Sequence, residues 1–157
     1  MSDNPFLVTP EWLAARLGRA DVAIVDASWY LPAMNRDQKA EYAAGHIPGA
    51  VFFDIDAVAD TSGDLPHMLP SPQAFADWCG RHGIAETDSI VVYDGAGVFS
   101  APRAWWTFRV MGARQVFVLD GGTPAWTEAG HALTADASRP LGKTFRPAFD
   151  VAKVADS

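Results

Sequence analysis

The stretch from Ile90 to Trp106, IVVYDGAGVFSAPRAWW, constrains the fold more than any other part of the chain. A short, largely β-branched apolar run (Ile90, Val91, Val92, Tyr93) meets a glycine loop from Asp94 to Phe99. The loop feeds a helix that opens with Ser100 and Pro102. A strand that is apolar at consecutive positions is buried on both faces and needs helices above and below it. The same layout holds anions, because loop N–H groups and the free N–H groups at a helix start converge on one negative group. The strand tip is where a nucleophile is placed in such an arrangement, and here it is Asp94. The geometry of a pocket is therefore expected without its nucleophilic chemistry.

The rest of the chain repeats the alternation. Thr9-Pro10-Glu11 opens a helix whose Trp12, Leu13 and Leu17 form an apolar stripe and which Gly18 ends. Val22 to Val25 is a buried strand that ends at Asp26. Residues 27 to 37 form a loop, and Asp37 to Ala44 a short helix stopped by Gly45. The turn His46-Ile47-Pro48-Gly49-Ala50 leads into the strand Val51-Phe52-Phe53, and Asp54 to Val58 form a helical turn. Residues 59 to 72, with a glycine, three prolines and several polar residues, form a loop. Ser71-Pro72 caps a helix with Phe75, Trp78, Cys79 and His82 on one face. Val116 to Leu119 is the last clear strand and Gly121 to Ala129 the last helix, with Trp126 facing inward. Alternating strands and helices imply an α/β domain, a parallel sheet covered on both sides, with ligands at the strand C-terminal ends. Residues 1–130 form this domain. Residues 131–157 lack a sustained period and read as a linker.

The chain has 157 residues, enough for one domain with a sizeable core, and 49% of them are hydrophobic. Twelve basic against nineteen acidic residues give a net charge of −7, which argues against nucleic acid and anionic membranes as partners. No apolar run approaches the roughly 20 residues of a membrane span. The first residues, MSDNPFLVTP, lack the basic start and apolar core of a secretory signal. The single cysteine fits a cytoplasmic location.

Five segments in order make the chain resemble the rhodanese superfamily: VDASWYLP (25–32), EYAAGHIPGAVFFDID (41–56), LPHMLP (65–70), VVYDGAGVFSAPRAWWTFRVMG (91–112) and VLDGGTPAW (118–126). The match is close to the N-terminal, non-catalytic domain of the tandem 3-mercaptopyruvate and thiosulfate sulfurtransferases. The resemblance implies a three-layer domain with a central parallel five-stranded sheet, one strand more than the apolar runs locate. It implies a parent enzyme in which a cysteine of the second domain takes sulfur from a small donor as a persulfide and passes it to a thiol or cyanide. No cofactor is implied. The partner is a C-terminal catalytic domain of the same protein, toward which residues 131–157 lead. In this chain Asp94 occupies the position that matches the cysteine. The alternative is a stand-alone inactive rhodanese-like binding or regulatory module, and a weaker rival is a phosphatase-like hydrolase using Asp94.

The candidate site residues follow. Asp94 is expected to supply the anion for its own loop, Gly95, Ala96, Gly97, Val98 and Phe99, accepting N–H bonds from Gly95 to Ser100. Asp56 and His67 match family positions that face the cleft between domains, where a carboxylate and an imidazole assist a cysteine loop. The competing reading is a structural histidine in a proline-rich loop. Arg103 and Arg36 are candidates for binding an anionic substrate. Their alternatives are a salt bridge to Asp94 or Asp120 and a solvated loop charge, respectively. Cys79, the one thiol, reads as core packing. His46 reads as support for its turn, and His82 and His131 as surface or helix-end residues. Gly121-Gly122 reads as a tight turn. No His/Cys/Asp spacing suggests a metal.

Overall fold

The computed structural model describes residues 6–19, 21–28, 35–53, 72–95, 100–135 and 142–146. Its sheet has five strands: β1 (Leu7–Val8), β2 (Val22–Asp26), β3 (Val51–Phe52), β4 (Ser89–Tyr93) and β5 (Gln115–Leu119). They lie in the order β1-β5-β4-β2-β3, and every pair is parallel. The helices are α1 (Pro10–Ala14), α2 (Gln38–Ala44), α3 (Pro72–Arg81), α4 (Ala101–Val110) and α5 (Gly122–Glu128).

Local chemistry explains the helix starts. Thr9 Oγ1 accepts from Trp12 N at 3.1 Å, with Pro10 in the first turn of α1. Asp37 Oδ1 accepts from Ala40 N at 3.1 Å and so caps α2 rather than belonging to it. The strand β1 escapes sequence reading because two residues carry no period. Leu7 and Val8 pair with Val118 and Leu119 at the edge of the sheet. The expected turn at Asp54 to Val58 and the loop that follows lie outside the described residues.

The alternation of side chains along β4 separates two cores. Ile90 and Val92 face the layer of α3 and α4, where Phe75, Cys79, Ala104 and Phe108 are buried. Val91 and Tyr93 face the layer of α1, α2 and α5, with Leu13 and Trp126. All four β4 side chains from Ile90 to Tyr93 are fully buried, each contributing roughly 1.5–3 kcal/mol of hydrophobic stabilisation. This is the three-layer architecture expected from the alternation. Phe53, Phe75, Trp78 and Phe108 meet edge-on or tilted, with ring centroids 4.9 to 6.2 Å apart. Among the described residues no helix is long and apolar enough to cross a membrane.

Residues beyond the last helix are part of this packing. Thr134 bridges His46, and Phe145 is buried beside Phe75. The stretch read as a linker is thus docked on the domain at residues 131–135 and 142–146.

Candidate functional site

The strand order places a crevice between β2 and β4. The chain leaves β2 for β3 on one side and leaves β4 for β5 on the other. The following helices, α2 and α4, lie on opposite faces of the sheet. In open α/β sheets this reversal is where ligands bind. Asp26, Ala27 and Ser28 come to it from β2, and Asp94 and Gly95 from β4.

Asp94 fills the crevice. Its side chain is fully buried, and Oδ2 accepts from Ser100 N at 2.9 Å and Ala101 N at 2.8 Å. These N–H groups open α4, where a helix leaves its donors unsatisfied and its dipole favours negative charge. The expected donors to Asp94 run from Gly95 to Ser100; at the helix end the donors to its carboxylate are Ser100 and Ala101. At the other end the arrangement differs, because Gly95 N donates to Ser28 Oγ at 3.0 Å. Of the loop, Ala96, Gly97, Val98 and Phe99 lie outside the described residues. Ser100 uses its hydroxyl on Ala27 O at 2.7 Å instead of capping α4, so the carboxylate takes the capping role.

A second carboxylate lies behind the first. Asp26 is 5% exposed, and its Oδ1 accepts from Ser28 N at 2.9 Å. Burial raises its carboxyl above the ordinary range; hydrogen bonds from Ser28 and Tyr93 oppose the shift, and the nearby Asp94 adds to it. The buried Tyr93 hydroxyl accepts from Ile47 N at 3.2 Å, and burial pushes it well above its usual value. Asp26, Ala27, Ser28, Gly95, Ser100 and Asp94 thus form one network of internal hydrogen bonds at the tips of β2 and β4. Ser28 was not singled out from sequence; Asp26 was named only as a strand end, and Ser100 only as a helix start and a backbone donor. The signal available was a polar residue at each strand tip, where β2 and β4 prove to be neighbours.

Arg36 reaches the same loop. Its guanidinium holds Glu41 with two bonds of 2.8 and 2.9 Å and donates to Gly95 O at 3.4 Å. Gly95 is therefore held through both its N–H and its carbonyl, by Ser28 and by Arg36. Arg103 lies in the first turn of α4 with its side chain exposed. Asp56 and His67 lie outside the described residues.

The remaining candidates have structural surroundings. Cys79 is fully buried, and burial pushes its thiol far above the ordinary range, away from reactive thiolate. His46 is buried, hydrogen-bonded through Nδ1 to Tyr42 O at 2.8 Å and stacked on the Tyr42 ring. His82 sits at the end of α3 on Trp78 O at 2.7 Å. Gly121 has φ +83°, and a Cβ there would lie 2.4 Å from Ala125 Cβ. The tight turn is therefore obligatory. Among the described residues no group of three or more His, Cys, Asp or Glu could hold a metal ion.

Comparison with known proteins agrees with this architecture. Residues 9–129 match the rhodanese-like domain. Thiosulfate/3-mercaptopyruvate sulfurtransferase 2 of Arabidopsis thaliana is 48% identical over 138 residues, covering 88% of this chain and 40% of its own length. The human 3-mercaptopyruvate sulfurtransferase is 42% identical over 153 residues, covering 93% of this chain and 51% of its own. The crystal structure of SseA from Escherichia coli, a 3-mercaptopyruvate sulfotransferase with the rhodanese fold, superposes with a TM-score of 0.85 at 38% identity. That match covers 94% of this chain and 56% of that one. The chain thus spans about half the length of the curated relatives it matches. With its fold, its strand-tip loop and its sequence in agreement, the chain belongs to the rhodanese-like domain family.

Proposed function

We propose that this chain is the non-catalytic, N-terminal half of a tandem sulfurtransferase. The whole enzyme would move sulfane sulfur from 3-mercaptopyruvate or thiosulfate to a thiol or cyanide. The persulfide would form on a cysteine of a C-terminal domain, and a reducing compartment such as the cytoplasm would keep that thiol available. The observation that carries this reading is the filled crevice. The donors of α4 that would hold a thiolate or persulfide are already bound to Asp94. A carboxylate cannot carry sulfane sulfur, and Cys79 is buried in the core. This half contributes one wall of the inter-domain cleft, with Asp56 and His67 as cleft assistants and Arg36 and Arg103 as anion contacts.

The test is direct. The purified chain is assayed with thiosulfate and cyanide, and with 3-mercaptopyruvate and a thiol. The expected result is no turnover above the uncatalysed rate, with or without Cys79→Ser. Clear turnover that Cys79→Ser abolishes would overturn the reading.

A further inference from the structure

The family match ends at residue 129, yet residues 131–135 and 142–146 lie on the domain beyond it. On one face, Thr134 and His46 exchange backbone bonds of 2.8 and 2.9 Å, and Trp126 Nε1 donates to Ala132 O at 3.0 Å. Leu133 packs on the cluster of Leu13 and Trp126, against the layer of α1, α2 and α5. Residues 142–146 are fixed to the opposite layer. Phe145 is 4% exposed in the cluster of α3 and α4, its ring edge-on to Phe75 at 5.4 Å. Lys143 N donates to Gly80 O at 3.0 Å, and Lys143 Nζ reaches the buried Asp88 carboxylate at 2.8 Å. Arg146 N donates to Glu86 Oε1 at 2.8 Å, which helps hold the Glu86 carboxyl below its ordinary range.

The seat of this segment on α3 is shaped for backbone. A Cβ on Gly80 would stand 2.7 Å from Lys143 O, closer than real contacts allow. An alanine there ordinarily favours a helix. Here it would expel the segment instead.

The geometry points to a belt: residues 132–135 and 142–146 hold the chain to the two helical layers on opposite faces of the sheet and fix where it continues past Arg146. The belt explains why one short, mostly exposed segment carries a buried aromatic ring, a half-buried ion pair and two backbone bonds to side chain and main chain of the same region. For a two-domain enzyme it means that the second domain is positioned from α3 and the turn before β4, not from the end of α5. That last clause rests on the function proposed above; the belt itself does not.

Amide hydrogen exchange on the whole chain tests it. The amides of Lys143, Arg146 and Thr134 are expected to be protected in the natural sequence. In Gly80→Ala the amides of Lys143 and Arg146 accelerate at least about tenfold, while those of β4 hold, because local release is cheaper than global unfolding. Should Gly80→Ala fail to fold, Phe145→Leu shifts the same two amides to a lesser degree. Unprotected Lys143 and Arg146 amides in the natural sequence, or unchanged exchange in a folded variant, would overturn the belt. In the longer protein, the distance distribution between labels on the two domains broadens in Gly80→Ala; an unchanged distribution overturns the positioning clause. A gene without a second domain would defeat the proposed function and leave the exchange result standing.

Discussion

Two strand tips in this domain leave the sheet through glycine and enter a helix, and they dispose of the helix donors differently. After β4, the first N–H groups of α4 converge on a side chain, the Asp94 carboxylate. After β5, Gly121 and Gly122 turn the chain so tightly that Thr123 N reaches the main-chain oxygen of Asp94 at 3.0 Å. The first turn has the form of an anion site whose anion is built into the chain. The second spends a helix-start N–H group on a main-chain carbonyl, with no side-chain anion built in. Glycine after a strand is thus not by itself a ligand signal. What decides is whether N–H groups and volume are left over once the chain has satisfied itself.

The contrast can be broken at the second turn first. Gly121→Ala meets both a positive φ and a Cβ contact of 2.4 Å, so a loss of about 2–4 kcal/mol is expected from chemical denaturation. A loss under about 1 kcal/mol would mean that the turn has slack. At the first turn, Ser28→Ala leaves the Gly95 N–H without its acceptor. It should cost about 1 kcal/mol by the same measurement.

The smallest effect sharpens the electrostatic side of the comparison. The Asp26 carboxyl is raised above the ordinary range, chiefly by burial. The folded state therefore binds this proton more tightly than the unfolded state. The associated stability is complete at pH values below the ordinary carboxylate pKa of about 4 and is lost as pH rises through the raised value. Asp26→Asn keeps an oxygen acceptor for Ser28 N and does not titrate. The stability of the natural protein relative to this variant should fall as pH rises, read from denaturation midpoints across the acid-to-neutral range. A difference that stays flat or grows would show that Asp26 is ionised as easily in the fold as out of it.

Much of the fold was legible in sequence because burial on both faces writes itself as apolar runs. The strands around Val25, Val51, Val91 and Val118 stand where those runs place them. The strand Leu7–Val8 was not legible, since its assignment comes only from pairing with β5. The position of Asp94 was readable from strand, glycine and helix in succession. Its neighbours were not: Ser28 meets Gly95 across 67 residues of sequence, and Ser100 meets Ala27 across 73. Nothing local marks such contacts. They follow only once β2 and β4 are known to be adjacent. Phe145 was hidden for a related reason, being a single apolar side chain in a polar stretch whose burial depends on Phe75, far along the chain.

The central claim is that Asp94 occupies the anion niche at the start of α4. It is tested most directly by following the Ser100 and Ala101 amides by NMR during titration with sulfate, in the natural chain and in Asp94→Ala. The account predicts that the natural amides do not respond, while those of Asp94→Ala shift saturably and the variant regains thermal stability as sulfate is added. Saturable shifts of the same amides in the natural chain would contradict it.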